Sequence, residues 1–136
     1  MNFFDSFYKK DKDQKKMNFS LEVGPHTDLE TLPPVKDVYV TMLPGGDYKE
    51  TAAKSGDLVK KGFNPVPHFP ARSILDENQL KDFITRCKDV GTKQALVIGG
   101  SRDPIGKFDS SIQILETGFF DGIKIGIAGH PEGSQD

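Results

Sequence analysis

Residues 123–136 read IKIGIAGHPEGSQD, a strand that delivers a loop. Ile123, Ile125 and Ile127 alternate with Lys124 and Gly126, the period-two pattern of a β-strand. Ala128 and Gly129 then hand the chain to the polar turn His130-Pro131-Glu132-Gly133. Small residues at the end of a strand leave room for backbone amides to approach a flat ligand. Chemistry is therefore expected at strand ends.

Working back from this stretch, the same unit recurs. Gln94 to Ile98, QALVI, is a continuous apolar run of the kind buried on both faces of a parallel sheet, and it feeds the loop Gly99-Gly100-Ser101-Arg102-Asp103-Pro104. Asn64 to Phe69, NPVPHF, is a third strand that closes on His68, with prolines that argue against an ordinary ladder position at Pro67. Asp37 to Met42, DVYVTM, closes on Thr41 and runs into the turn Leu43-Pro44-Gly45-Gly46. Asn18 to Val23, NFSLEV, is the first strand, with Phe19, Leu21 and Val23 on one side and Glu22 on the other.

Helices fill most of the gaps. Asp47 is expected to cap a helix from Tyr48 to about Lys61, with Tyr48, Ala52, Ser55 and Val59 on one face and Gly62 beyond its end. Asp76 and Gln79 resemble a capping box before Leu80, Phe83, Ile84 and Cys87, which recur at helical spacing until Gly91. Asp109 is expected to cap a short helix carrying Ile112 and Leu115, with Phe108 one turn earlier. Thr27 to Leu32 leaves room for a single helical turn before Pro33-Pro34.

From the second strand onward the strands begin near Asp37, Asn64, Gln94 and Ile123, a repeat of about thirty residues, the length of a βαβ unit. That period predicts an α/β fold with a parallel sheet. A doubly wound sheet and the first part of an eight-stranded β/α barrel both accept it. No G-x-G-x-x-G follows the first strand and no G-x-x-x-x-G-K-[ST] occurs, so the dinucleotide and P-loop fingerprints are absent and the barrel is favoured. In a barrel the residues that close each strand form the site. Here they are Glu22, Thr41, His68, the Gly99 to Asp103 loop, and Ala128 to His130.

Composition narrows the classes of function. The 136 residues make one domain's worth of chain, and 18 Lys and Arg against 20 Asp and Glu give a net charge of −2, with no sustained basic field for nucleic acid. The single Cys87 falls among apolar helix positions, as expected of a buried thiol in a reducing cytoplasm. No apolar run approaches the roughly 20 residues that cross a bilayer. Residues 1–17 form an N-terminal extension in which Phe3, Phe4, Phe7 and Tyr8 can line one face of a short helix, and the β/α domain occupies residues 18–136. A cytoplasmic protein without membrane or nucleic-acid partners is expected.

The strand-end groups comprise one carboxylate, a hydroxyl, imidazoles and small residues, which suit a flat, hydrogen-bonding organic ligand. Glu22 in a barrel mouth would have its carboxyl pKa raised by desolvation and could serve as a general acid; the alternative is an ordinary solvent-facing strand residue. His26, His68 and His130 with Glu22 and Asp103 could instead be drawn as a metal site, although no two histidines share the local spacing that presents a metal.

The strand-end motifs resemble the methylenetetrahydrofolate reductase family, flavoproteins on a β/α barrel. The resemblance rests on SLEVGP at 20–25, VYVT at 38–41, PVPHFPAR at 65–72, VIGG at 97–100 and IGIAGHPEG at 125–133, in the family's order, and it covers residues 18–136. It implies a partial TIM barrel that binds FAD and passes hydride from a reduced nicotinamide, through the flavin, to 5,10-methylenetetrahydrofolate. Glu22 resembles the family's general acid. Thr41 and His68 look like flavin contacts, as do Ala128 and His130, the latter in place of a more usual aromatic. The family's fourth strand often ends in Gly-Asp, where this chain has Gly100-Ser101, with Asp103 two residues later.

Strands six to eight of such a barrel have no counterpart in these residues, since a barrel takes about 250. The resemblance therefore implies a fragment of a longer reading frame, or a half-barrel that covers its open sheet edges by association. A non-catalytic domain that binds flavin or a pterin, or serves in assembly, is the alternative function.

Overall fold

A computed structural model describes residues 19–128. Five strands, β1 (Leu21–Val23), β2 (Asp37–Val40), β3 (Asn64–Pro70), β4 (Gln94–Ile98) and β5 (Lys124–Ile127), form one sheet in the order β1-β2-β3-β4-β5. Every neighbouring pair is parallel. Three described α-helices lie between the strands: α1 (Tyr48–Lys60), α2 (Glu77–Asp89) and α3 (Ser111–Leu115). The chain is thus α/β, and its described strands contain none of the reversals of order that a doubly wound sheet requires.

Strand alternation sorts the side chains cleanly. Val23, Val38, Val40, Phe69, Ala95 and Val97 are all buried, and the pairs Val23 with Val40, Phe69 with Val97, and Ala95 with Ile125 place them on one face. That face receives the helices. Leu58 of α1 joins the Val23 cluster, while Leu80, Phe83, Ile84 and Cys87 of α2 and Ile114 of α3 join the Phe69 cluster. Phe69 and Phe83 stack with ring centroids 4.0 Å apart, so β3 and α2 meet through a large aromatic contact.

The opposite face explains a departure from the expectation for β4. Ala95 and Val97 are fully buried, but Leu96 and Ile98 are only half-buried, because the buried apolar residues of the described helices all belong to clusters on the other side. The apolar run of β4 is thus fully covered on one face and only partly on the other.

The prolines of β3 are accommodated by direction. Asn64 donates its N–H to the Lys36 carbonyl, toward β2, at 2.9 Å. Alternation then turns the nitrogens of Pro65 and Pro67 toward β4, where neither can donate. The β4 pairing accordingly begins only at His68, whereas Pro67 does pair with Val40 on the β2 side.

Helix ends follow the sequence in two cases and depart in one. The Asp47 carboxylate accepts from the Lys49 N–H, and that of Asp76 from the Gln79 N–H at 2.8 Å. The Gln79 side chain reaches back to the Leu75 N–H at 2.7 Å, one residue earlier than a standard capping box. The last helix is capped by Ser110 with Gln113, not by Asp109, and its buried residue is Ile114, whereas Ile112 is 63 % exposed. No helical turn forms between Thr27 and Leu32. A turn at Glu30-Thr31 lets Leu29, Leu32 and Val35 pack directly on the Val23 cluster.

Among the described residues no helix is long and apolar enough to cross a membrane. The expected N-terminal helix at Phe3 to Tyr8 lies outside the described residues.

Candidate functional site

The face away from the helices carries its side chains in levels, read from the register. Nearest the strand starts, Asn64 donates to Asp37 Oδ1 at 2.9 Å and to Gln94 Oε1 at 3.2 Å. The next level holds Glu22, Tyr39 and Val66, which are successive register partners. Above it stand Thr41, His68, Leu96 and Gly126, and His68 pairs with Leu96 as Leu96 does with Gly126. Sequence alternation thus brings Glu22, Thr41 and His68 onto one face at the C-terminal ends of three adjacent strands.

Glu22 is solvent-exposed. The desolvation expected of it is not supplied by the described residues, whose bulk lies on the other face. His68 is different. Its Nε2 is buried with no hydrogen-bond partner, and burial holds its pKa below the ordinary 6.5 while the Glu22 carboxylate pulls it the other way. Burial thus favours the neutral imidazole, and an incoming hydrogen-bonding ligand would satisfy its buried Nε2.

Thr41 closes the gap between β1 and α1. Its N–H donates to the Val23 carbonyl at 2.9 Å, its hydroxyl donates to the same oxygen at 3.3 Å, and its own carbonyl accepts from Thr51 Oγ1 at 3.2 Å. The hydroxyl proton is thus turned to the backbone, which leaves its lone pairs for a ligand donor.

Gly100, Ser101 and Asp103 lie in the loop after β4, and this loop is clipped to the one after β3 through Arg72. Its N–H donates to the Gly99 carbonyl at 3.0 Å, its Nη1 to the Gly100 carbonyl at 3.1 Å, and its Nε to the Asp109 carbonyl at 2.9 Å and carboxylate at 3.2 Å. Gly100 adopts φ +104°, a conformation that favours glycine, with Pro70 and Arg72 against it. Ser101 and Asp103 are exposed, and no hydrogen bond or ion pair joins either to Glu22 or His68.

Ala128 lines a cleft of about 110 Å³ with Ile98, Gly99, Ser110, Ser111 and Ile127, where the ends of β4 and β5 meet the start of α3. His130 lies outside the described residues. No protein-family model matches this chain.

The remaining histidine belongs elsewhere. His26 is exposed and sits 3.3 Å from Glu50, on a wide groove of about 530 Å³ that Lys54, Asp57 and Lys61 also line. Two of its lysines are engaged: Lys61 pairs with Glu30, and Lys54 donates to the Thr27 carbonyl. Among the described residues no three His, Cys, Asp or Glu side chains gather as a metal site would require.

Two residues that shape this end of the sheet carry no role in the sequence reading. Tyr39 lies two residues before Thr41 and therefore on its face, but strand closure, the rule that selected Thr41, passes over it. Arg72 sits inside PVPHFPAR, but its clamp depends on long-range contacts that no local pattern encodes.

Proposed function

We propose that this chain forms strands one to five of a β/α barrel and belongs to a flavoenzyme resembling methylenetetrahydrofolate reductase. It would reduce 5,10-methylenetetrahydrofolate to 5-methyltetrahydrofolate in one-carbon metabolism. Support for the barrel comes from the sequential parallel strand order and the layered side chains of the face away from the described helices, both features of such folds.

One observation carries the assignment of the site: His68 presents a buried, unpartnered Nε2 on the same face, and toward the same strand ends, as Glu22. An orphaned ring nitrogen, free lone pairs on Thr41 and a glycine-lined end of β4 fit a flat ring system with donors and acceptors on its edge. FAD, when bound, supplies the two-electron chemistry that links a reduced nicotinamide to the folate carbon.

The chain's own residues divide the remaining work. His68, Thr41, Gly100 and Ser101 hold the flavin edge, joined by Asp103, Ala128 and His130 as the resemblance implies. Glu22 gives a proton to the folate nitrogen whose bond to the methylene carbon opens. Its exposure suits an acid that must meet a substrate arriving from solvent, and the substrate itself would remove the water that now surrounds it.

Exchange of Glu22 for Gln tests this directly. The variant is expected to keep bound flavin and to lose folate reduction; unchanged reduction would remove Glu22 from the role of acid. A non-catalytic flavin- or pterin-binding domain is the second reading, favoured by the exposed Ser101 where the family has an acid.

A further inference from the structure

Tyr39 stands between the two groups to which the site has been assigned. It pairs in register with Glu22 of β1, and its ring lies edge-on to His68 of β3 with centroids 6.0 Å apart. Core packing does not account for it, since it belongs to neither apolar cluster and points to the face away from the helices. β1 and β3 are two strand spacings apart, about 9.5 Å. A molecule that reaches both the Glu22 carboxylate and the His68 imidazole has to cross β2. The two β2 side chains on that path are Tyr39 and Thr41, and only Tyr39 offers an aromatic surface.

We propose that Tyr39 is the specificity-determining residue of this site, the platform on which a fused-ring heteroaromatic ligand rests between Glu22 and His68. The proposal deepens the flavoenzyme reading and rests on it. Offset stacking on an aromatic ring selects planar heterocycles over saturated or branched molecules of similar polarity. The contact is made by the ring, and the phenol hydroxyl takes no part.

The test is a titration of the full 136-residue chain with FAD, followed by flavin fluorescence, for the native protein and for Tyr39→Phe and Tyr39→Leu. Thermal unfolding of each and the NMR resonance of the His68 Cε1–H are recorded beside it. Tyr39→Phe is expected to bind as the native chain does, and Tyr39→Leu about tenfold more weakly, while the unfolding midpoint stays put. FAD is expected to move the His68 resonance in the native chain and to move it less in Tyr39→Leu at the same concentration. Equal binding by Tyr39→Leu would overturn the role of Tyr39 and leave the site assignment standing. Weakening by Tyr39→Phe as great as by Tyr39→Leu would assign the contact to the hydroxyl and overturn the platform. Failure of the native chain to bind FAD would overturn both. Should Tyr39→Leu not fold, Tyr39→Trp replaces it: binding at least as tight as native is expected, and a loss would contradict the proposal.

Discussion

The Gly106 backbone packs directly on Leu75: a Cβ built on Gly106 would stand 2.0 Å from the Leu75 carbonyl oxygen. The obstruction is main chain, so no side-chain movement relieves it. The same contact is flanked by two hydrogen bonds, from the Ile105 N–H to the Arg72 carbonyl at 3.0 Å and from the Lys107 N–H to the Leu75 carbonyl at 3.1 Å. Gly106→Ala is therefore expected to separate the loops after β3 and β4 and to destabilise the fold by about 1–3 kcal/mol, read as a lower urea midpoint. A midpoint equal to native would mean that the two loops are not held in contact.

Burial depresses the pKa of His68 and Glu22 opposes the depression. The folded-state value lies below the unfolded 6.5, so the neutral imidazole's share of stability is present above that pH and is lost as pH falls through the folded value. Glu22→Gln removes the opposing charge and is expected to push the His68 midpoint lower still. An NMR titration of the histidine Cε1–H signals, with His68→Gln to assign the resonance, reads both effects. A midpoint unmoved by Glu22→Gln would show that the two side chains do not sense each other.

Tyr48 ties α1 to α2 by donating its hydroxyl to Asp82 Oδ2 at 2.5 Å. Burial, followed by this bond to a carboxylate, pushes its pKa up to about 12. The folded value exceeds the unfolded 10.0, so the contribution is complete below pH 10.0 and is lost as pH rises through about 12. Ultraviolet titration of native protein should find one tyrosine ionising well after the others, and Tyr48→Phe should abolish that late step. Survival of the late step in the variant would assign it to another tyrosine.

Cys87 is fully buried against the Phe69 cluster, and burial pushes its thiol up to about 12. Native protein at about pH 8 should not react with a disulfide reagent, while urea-unfolded protein should react with one equivalent. Rapid reaction of the native chain would contradict the packing of α2 on the sheet.

Legibility followed the length and regularity of each pattern. β4 is legible with its observed limits because Gln94 and four consecutive apolar residues end at a glycine pair, and α2 because an Asp cap precedes about two turns of apolar spacing. The five residues of α3 span little more than a turn, too few for periodicity to choose between Ile112 and Ile114 or between Asp109 and Ser110 as cap. At the site, strand closure singles out Glu22, Thr41 and His68, and the observed register adds that they share a face. Strand closure could not supply burial, which depends on neighbouring strands and separates an exposed Glu22 from a desolvated His68. The Arg72 clamp and the Gly106 contact join residues far apart in sequence, and only the folded chain brings them together.

Flavin retention decides whether His68 holds a flavin. The full chain is mixed with FAD, desalted, and its visible absorption recorded beside that of His68→Ala. A flavin spectrum is expected to stay with the native protein and to weaken in His68→Ala, because the buried Nε2 is the group assigned to the flavin edge. A native chain that emerges colourless, or a variant that holds flavin as firmly as native, would contradict that assignment.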